Sequence, residues 1–303
     1  MSWETAKRAI DRMGDAPFTL QFAGGEPTMN MELVDRAAKY ARNNGCRRIS
    51  MQTNGTCIDE AAIACVKRHG IAVGVSLDGQ SSINDALRGK TCRAIEGIKR
   101  LGASGVMVNL NAVVSDRNVE QLPQLVDLAA YLGNVHGVGL DLLREAGRAA
   151  ESGCVLHAAG EEQIAEALRA MHARTRTLNR VLPRPIVLRE IEEARARLRA
   201  GKRAGHYCYA SQGRAFAVLP DGEVYPCGSL IGRPEFAMGN VHSGVNAIAI
   251  QCRRPEKCRT CGYEAVCPGA CPSRSLLNGG FSAQDCALKI TAFRIAKEEK
   301  EEN

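Results

Sequence analysis

Residues 18–28 read FTLQFAGGEPT, a strand over 18–24 that runs straight into a turn of two glycines, a glutamate and a proline. Gly24 and Gly25 let a ligand approach the backbone closely, and Glu26 can accept from an ammonium group. Pro27 fixes the turn that follows. In parallel α/β folds the chemistry gathers at the carboxyl ends of the strands, so this junction is a candidate site.

On either side the chain alternates short apolar strands with amphipathic helices. A helix over 2–13 precedes the junction, and one over 31–45 follows it and ends at Gly45. Further strands read at 47–53, 71–77, 106–114 and 137–143. Between them lie helices from Asp59, an N-cap, to His69, over 92–103 and around 118–132. Five strands joined by helices predict an α/β fold with a parallel sheet or (βα) barrel, and a strand ahead of Phe18 would make six. Residues 150–205 are helical, rich in Ala, Arg and Glu, and read as a connector. From His206 onward the chain is Cys-, Gly- and Pro-rich with short strands. The predicted organisation is therefore 1–149, 150–205 and 206–303.

Two more strand ends carry polar, glycine-bearing turns: QTNGT at 52–56 and SLDG at 76–79. Each alone reads as an ordinary βα turn. Three together, ahead of a cysteine-rich tail, point to a ligand site.

That tail contains CRTCGYEAVCPGAC, residues 258–271, spaced C-x2-C-x5-C-x3-C. No apolar run is long enough to span a bilayer and no signal peptide is evident, so a cytoplasmic location is expected. In a reducing compartment clustered cysteines are metal ligands rather than disulfides, and the odd total of 13 agrees. Four thiolates alone fit zinc as well as iron–sulfur. Seven cysteines, 208, 227, 258, 261, 267, 271 and 286, approach two four-thiolate sets. Cys46, Cys57, Cys65, Cys92 and Cys154 read as buried or incidental thiols.

The net charge of +7 concentrates in 189–206, which reads as a solvated helix face or as a surface for an acidic peptide or nucleic acid. Aromatics at 4% argue against a base-stacking platform, and nucleic acid is not an expected partner.

Gly24-Gly25-Glu26-Pro27 resembles the GGEP motif of the radical S-adenosylmethionine (SAM) enzymes, which holds the amino group of the methionyl moiety. Ser76 in VSLDG and Arg88 twelve residues on are similar to that family's peptide-modifying branch, where such residues contact the ribose and carboxylate of SAM. The segment LREAGRA (143–149) resembles the turn that follows the sixth barrel strand. The cysteine array is similar to the SPASM domain, which binds one or two auxiliary [4Fe–4S] clusters. By that resemblance Cys258, Cys261, Cys267 and Cys286 hold the distal cluster, and Cys208, Cys227 and Cys271 the nearer one. The nearer set is one ligand short, and Cys252 is the nearest thiol in sequence.

The resemblance implies an incomplete (βα)6 barrel lacking its first strand and a small iron–sulfur domain. It implies SAM cleaved to a 5′-deoxyadenosyl radical, a ribosomally made peptide or protein substrate, and a flavodoxin or ferredoxin donor. Formylglycine formation on a sulfatase, or a non-catalytic iron–sulfur scaffold or electron carrier, are the alternatives. The SAM-chelating C-x3-C-x2-C triplet does not occur in these residues; Cys267-x3-Cys271 comes closest, with Arg274 where the third cysteine would stand. The expectation is that the triplet lies before Met1 in a fuller parent, and that the chain as written does not cleave SAM.

Overall fold

The computed structural model describes all residues except 15, 145, 146, 151–155, 202–204 and 303. Helix α1 (Trp3–Asp11) is capped by Ser2 and leads into β1 (Phe18–Phe22). There follow α2 (Met31–Asn43), β2 (Cys46–Thr53), α3 (Glu60–His69), β3 (Ala72–Ser76), α4 (Ser81–Leu87) and α5 (Thr91–Ala103). Then come β4 (Val108–Val114), α6 (Leu122–Leu132), β5 (Val135–Leu142), α7 (Glu161–Asn179), β6 (Val187–Leu188) and α8 (Arg189–Ala200). The six strands pair in parallel in chain order, β1 to β6.

A sixth strand follows the five read from sequence. It comes from the segment read as a connector, and two residues after a Pro-Arg-Pro turn are too few to show a strand period. Among the described residues β1 and β6 stand at the two edges of the sheet. The central elements of the LREAGRA segment, Glu145 and Ala146, and the thiol Cys154, lie outside the described residues.

Strand alternation sorts the sheet into two faces. Ile49, Met51, Val73, Val75, Leu110 and Ala112 pack under the helices in one continuous core with Val34, Val66, Ile98 and Leu125. Their neighbours Gln52, Gly74, Ser76, Asn109, Asn111 and Asp141 lie on the opposite face. Parallel sheets usually have apolar residues on both faces, so a polar and glycine-bearing second face marks a lined cleft.

The remainder forms a small antiparallel sheet of β7 (Ala217–Val218), β8 (Glu223–Tyr225), β9 (Gly239–Asn240) and β10 (Gly244–Val245). Helices α9 (Pro272–Leu277) and α10 (Ala283–Glu302) close the chain. The small sheet rests on α1, where Thr5 Oγ1 meets His242 Nε2 at 3.1 Å and Arg12 donates to Val245 O. Helix α10 inserts Leu288, Ala292, Phe293 and Ile295 into the main core and packs along α7 and α8. Among the described residues no helix is long and apolar enough to cross a membrane.

Candidate cofactor site and cysteine array

The three strand-end turns meet at one edge of the sheet. Glu26 joins two of them: its Oε1 accepts from Thr28 N (3.1 Å), Thr28 Oγ1 (2.6 Å) and Thr53 Oγ1 (2.6 Å), and its Oε2 from Asn54 N (2.7 Å). Three of these donors share Oε1 and only one takes Oε2, so Oε2, with about two lone-pair sites, is the oxygen with room for a further donor. Gly24 has φ +81°, a value that favours glycine, and a Cβ on Gly24 or Gly25 would meet nothing within 4 Å. Pro27 opens the short turn of helix that leads into α2.

Ser76 lies on the polar face, where its Oγ accepts from Gln52 Nε2 at 2.8 Å. Gln52 Oε1 in turn accepts from Asn111 Nδ2 at 2.8 Å. That bond crosses β3 over Gly74, where a Cβ would stand 2.4 Å from Gln52 Oε1. Asn111 Oδ1 accepts from Arg189 Nη1 at 3.2 Å, which extends the ladder to the end of β6.

Arg88 is gripped by Asp78 of the SLDG turn through two bonds, Nε to Oδ2 at 2.6 Å and Nη2 to Oδ1 at 3.0 Å. Asp78 is buried and also accepts from Val113 N at 2.8 Å. Arg88 is thus oriented by a buried carboxylate, which leaves its Nη1 with no protein acceptor assigned by these two bonds. Sequence reading placed Gln52 and Asp78 in polar turns without giving either a role and missed Asn111, because their roles depend on pairing across strands.

Among the tail cysteines, 258, 261, 267 and 286 form one electrostatic group. Burial pushes the Cys258 thiol up, and the neighbouring Cys267 and Cys261 add to it. Burial likewise raises Cys286; Lys257 opposes, while Cys267, Cys258 and Cys261 push the same way. Such mutual repulsion of thiolates is what a bound cation relieves. Backbone donors are also aimed at sulfur, with Gly269 N on Cys267 Sγ at 3.4 Å and Ser229 N on Cys227 Sγ at 3.5 Å.

Cys271 faces elsewhere. It is buried at the mouth of the sheet, where Arg144 Nη2 donates to its sulfur at 3.6 Å and Ser273 Oγ lies 3.2 Å away. Tyr207, next to Cys208 in the chain, is raised by burial first, with Asp285 and then Cys271 contributing. Cys227 packs in the small cluster of Ala210, Leu230 and Ile250, which Leu277 also joins. The Cys252 thiol donates to its neighbour's carbonyl, Arg253 O, at 3.6 Å. His206 is exposed, Cys46 and Cys65 are buried, and Cys57 and Cys92 are exposed.

One buried clamp joins the cysteine region to the sheet. Arg274 donates from Nη1 to Asp285 Oδ2 (2.5 Å), from Nη2 to Asp141 Oδ1 (2.8 Å) and from Nε to Leu142 O (3.0 Å). Its side chain is 3% exposed and that of Asp285 2%. Burial alone would push the Asp141 carboxyl up, but Arg144, then Arg274 and Arg189, outweigh it and hold it below its ordinary value. The arginine that breaks the C-x3-C-x2-C spacing is therefore the residue that docks the tail.

Comparison with known proteins agrees with this arrangement. Residues 1–129 match the model of the radical SAM superfamily. That stretch holds the first four strands and the three polar turns. Over 253 residues it is 28% identical to an uncharacterized protein of Methanocaldococcus jannaschii, covering 80% of this chain and 79% of that one. It is similar to the serine-type anaerobic sulfatase-maturating enzyme of Klebsiella aerogenes, 27% identical over 88% of this chain and 69% of that protein. To the AdoMet-dependent heme synthase of Methanosarcina barkeri it is 27% identical, over 91% of this chain and 83% of that protein. Among solved structures, anSMEcpe with bound AdoMet and a peptide superimposes with a TM-score of 0.74 at 19% identity, covering 100% of this chain and 88% of that one. Streptococcus suis SuiB bound to precursor peptide SuiA gives 0.66 at 15% identity, covering 94% and 69%. These likenesses show a shared fold over most of the chain.

Proposed function

We propose that the chain is of the radical SAM, SPASM type that modifies a ribosomally made peptide or protein, without SAM cleavage by these residues alone because they hold no C-x3-C-x2-C triplet. The observation that carries this reading is the meeting of three polar turns at one edge of the barrel, bridged by Glu26 and Gln52, in a chain whose tail holds Cys258, Cys261, Cys267 and Cys286 near enough for Cys258 and Cys286 to feel the other thiols. The residues fit the groups: open space over Gly24 and Gly25, a free acceptor position on Glu26, and thiols whose burial a cation would offset.

In this reading Gly24, Gly25, Glu26 and Pro27 hold the methionyl amino group, and Ser76 and Arg88 the ribose and carboxylate of SAM. Cys258, Cys261, Cys267 and Cys286 hold one auxiliary [4Fe–4S] cluster; Cys208, Cys227 and Cys271 belong to a second, nearer the barrel. When bound, SAM beside a reduced cluster supplies hydrogen-abstracting radical chemistry, which is the cofactor's own. The chain's part is to position: Asp78 fixes Arg88, the Gln52–Asn111 bond sets the floor beneath Ser76, and Arg274 holds the tail over the sheet. A cytoplasmic setting with a flavodoxin or ferredoxin donor, and working units near 1–149, 150–205 and 206–303, complete the proposal.

The 303 residues contain no C-x3-C-x2-C triplet. We expect the pure chain, reconstituted with iron and sulfide, to release no 5′-deoxyadenosine from SAM with dithionite; release of it contradicts this.

Similarity to the heme synthase over most of both chains favours a second reading, in which the substrate is a tetrapyrrole. The sulfatase-maturating relative supports formylglycine formation as the variant of the peptide reading. Anaerobic titration separates them. Saturable binding of a cysteine- or serine-bearing peptide, with the Soret band of added porphyrin unmoved, supports peptide modification; a saturable Soret shift without peptide binding supports the other. Iron uptake with neither leaves an iron–sulfur electron carrier.

A further inference from the structure

Away from the strand ends, α2 and α3 bring together three side chains of metal-ligand type. Cys65 and His69 stand four residues apart on α3, which places them on one face a turn apart. Asp35 reaches them from α2. One ligand atom of each lies within 4.8 Å of the others, and His69 Nε2 is 3.0 Å from Asp35 Oδ1. Cys65 is 2% exposed while the Asp35 side chain is 35% exposed, so the group has a walled side and an open one. One sulfur, one imidazole and one carboxylate is a donor set suited to zinc, with the open side left for water as fourth ligand.

We propose that Asp35, Cys65 and His69 form a zinc-binding site, separate from the tail cysteines and from the SAM edge. Binding exchanges a proton for the ion: the Cys65 S–H bond breaks, an S–Zn bond forms, the proton leaves to solvent, and no electron moves. Without an ion the thiol is hard to ionise, since burial pushes Cys65 up to about 11 and Asp35 adds to it, with Arg68 opposing. A dication reverses that balance by supplying the positive charge the pocket lacks. Arg68 now pairs with Asp35 Oδ1 at 2.5 Å, but its side chain is 60% exposed. It is a weakly held competitor that can turn to water.

The test is cadmium NMR of the full chain, because four-thiolate sites and a one-thiolate, nitrogen- and oxygen-ligated site resonate far apart. We expect a resonance in the one-thiolate region, displaced by added Zn2+ and lost in Cys65→Ser. Asp35→Asn, at the partly exposed ligand, serves if the buried substitution fails to fold, and it too should lose the signal. Arg68→Ala should keep it and bind up to about fivefold tighter, as removal of a surface ion pair allows. Absence of the resonance from the unmodified chain, or its persistence in both ligand variants, overturns the site.

Discussion

The barrel edge and the cysteine tail hold their functional residues in opposite ways. At the edge the polar groups already satisfy one another: Glu26 takes four protein donors, and Arg88 is clamped by a buried Asp78. Beneath them lies one continuous apolar core. In the tail the strands are two or three residues long, and the two local cores hold three buried residues each, Ala210, Leu230 and Ile250, and Val224, Met238 and Val241. There Cys258 and Cys286 are instead pushed up, by burial first and then by the thiols around them. The barrel is ordered by burial before any ligand arrives, whereas under the proposed reading the tail draws stability from the metal it binds, as small metal-dependent units do.

The largest effect should come from taking the metal away. Stripping iron anaerobically with a chelator should raise amide exchange across 206–271 by orders of magnitude while β2 to β5 stay protected. Equal loss of protection in both regions would break the contrast.

Next in size is the clamp. Arg274→Met leaves Asp285 buried without its partner, and we expect a loss of about 3–5 kcal/mol in urea unfolding, with the tail releasing first. A change under about 1 kcal/mol, the range of a surface pair, would mean the tail docks by other contacts.

The array of cysteines and the GGEP turn were legible in the sequence because each is a local spacing. The parallel sheet was legible through its alternating strands, of which β2, β3 and β4 carry a full apolar face. The clamp was not, since Arg274 and Asp141 are far apart in the chain and share no pattern. Arg274 showed only as a departure from a cysteine spacing, and its use as a buried donor follows from the docking of α9 on β5. Strand β6 escaped for lack of length, and α10 escaped because its role in the main core is set by α7 and α8.

The smallest effect concerns that same helix. Burial raises the Glu299 carboxyl, but hydrogen bonds from Arg195 and His172 outweigh it and hold it below its ordinary value. A depressed carboxyl contributes stability above its unfolded-state value, and loses it as pH falls through the folded one. Glu299→Gln should therefore lower stability at neutral pH by about 1 kcal/mol or less and flatten the acid limb of the stability profile. An unchanged acid limb would remove Glu299 from the account.

Iron and sulfide counting after anaerobic reconstitution tests the central claim most directly, with the chain compared against one in which Cys258, Cys261, Cys267 and Cys286 are all alanine. The account predicts about eight irons per chain if both auxiliary sites fill, and a loss of about four on removing that set. Zinc without iron in the unmodified chain, or iron unchanged in the variant, would contradict it.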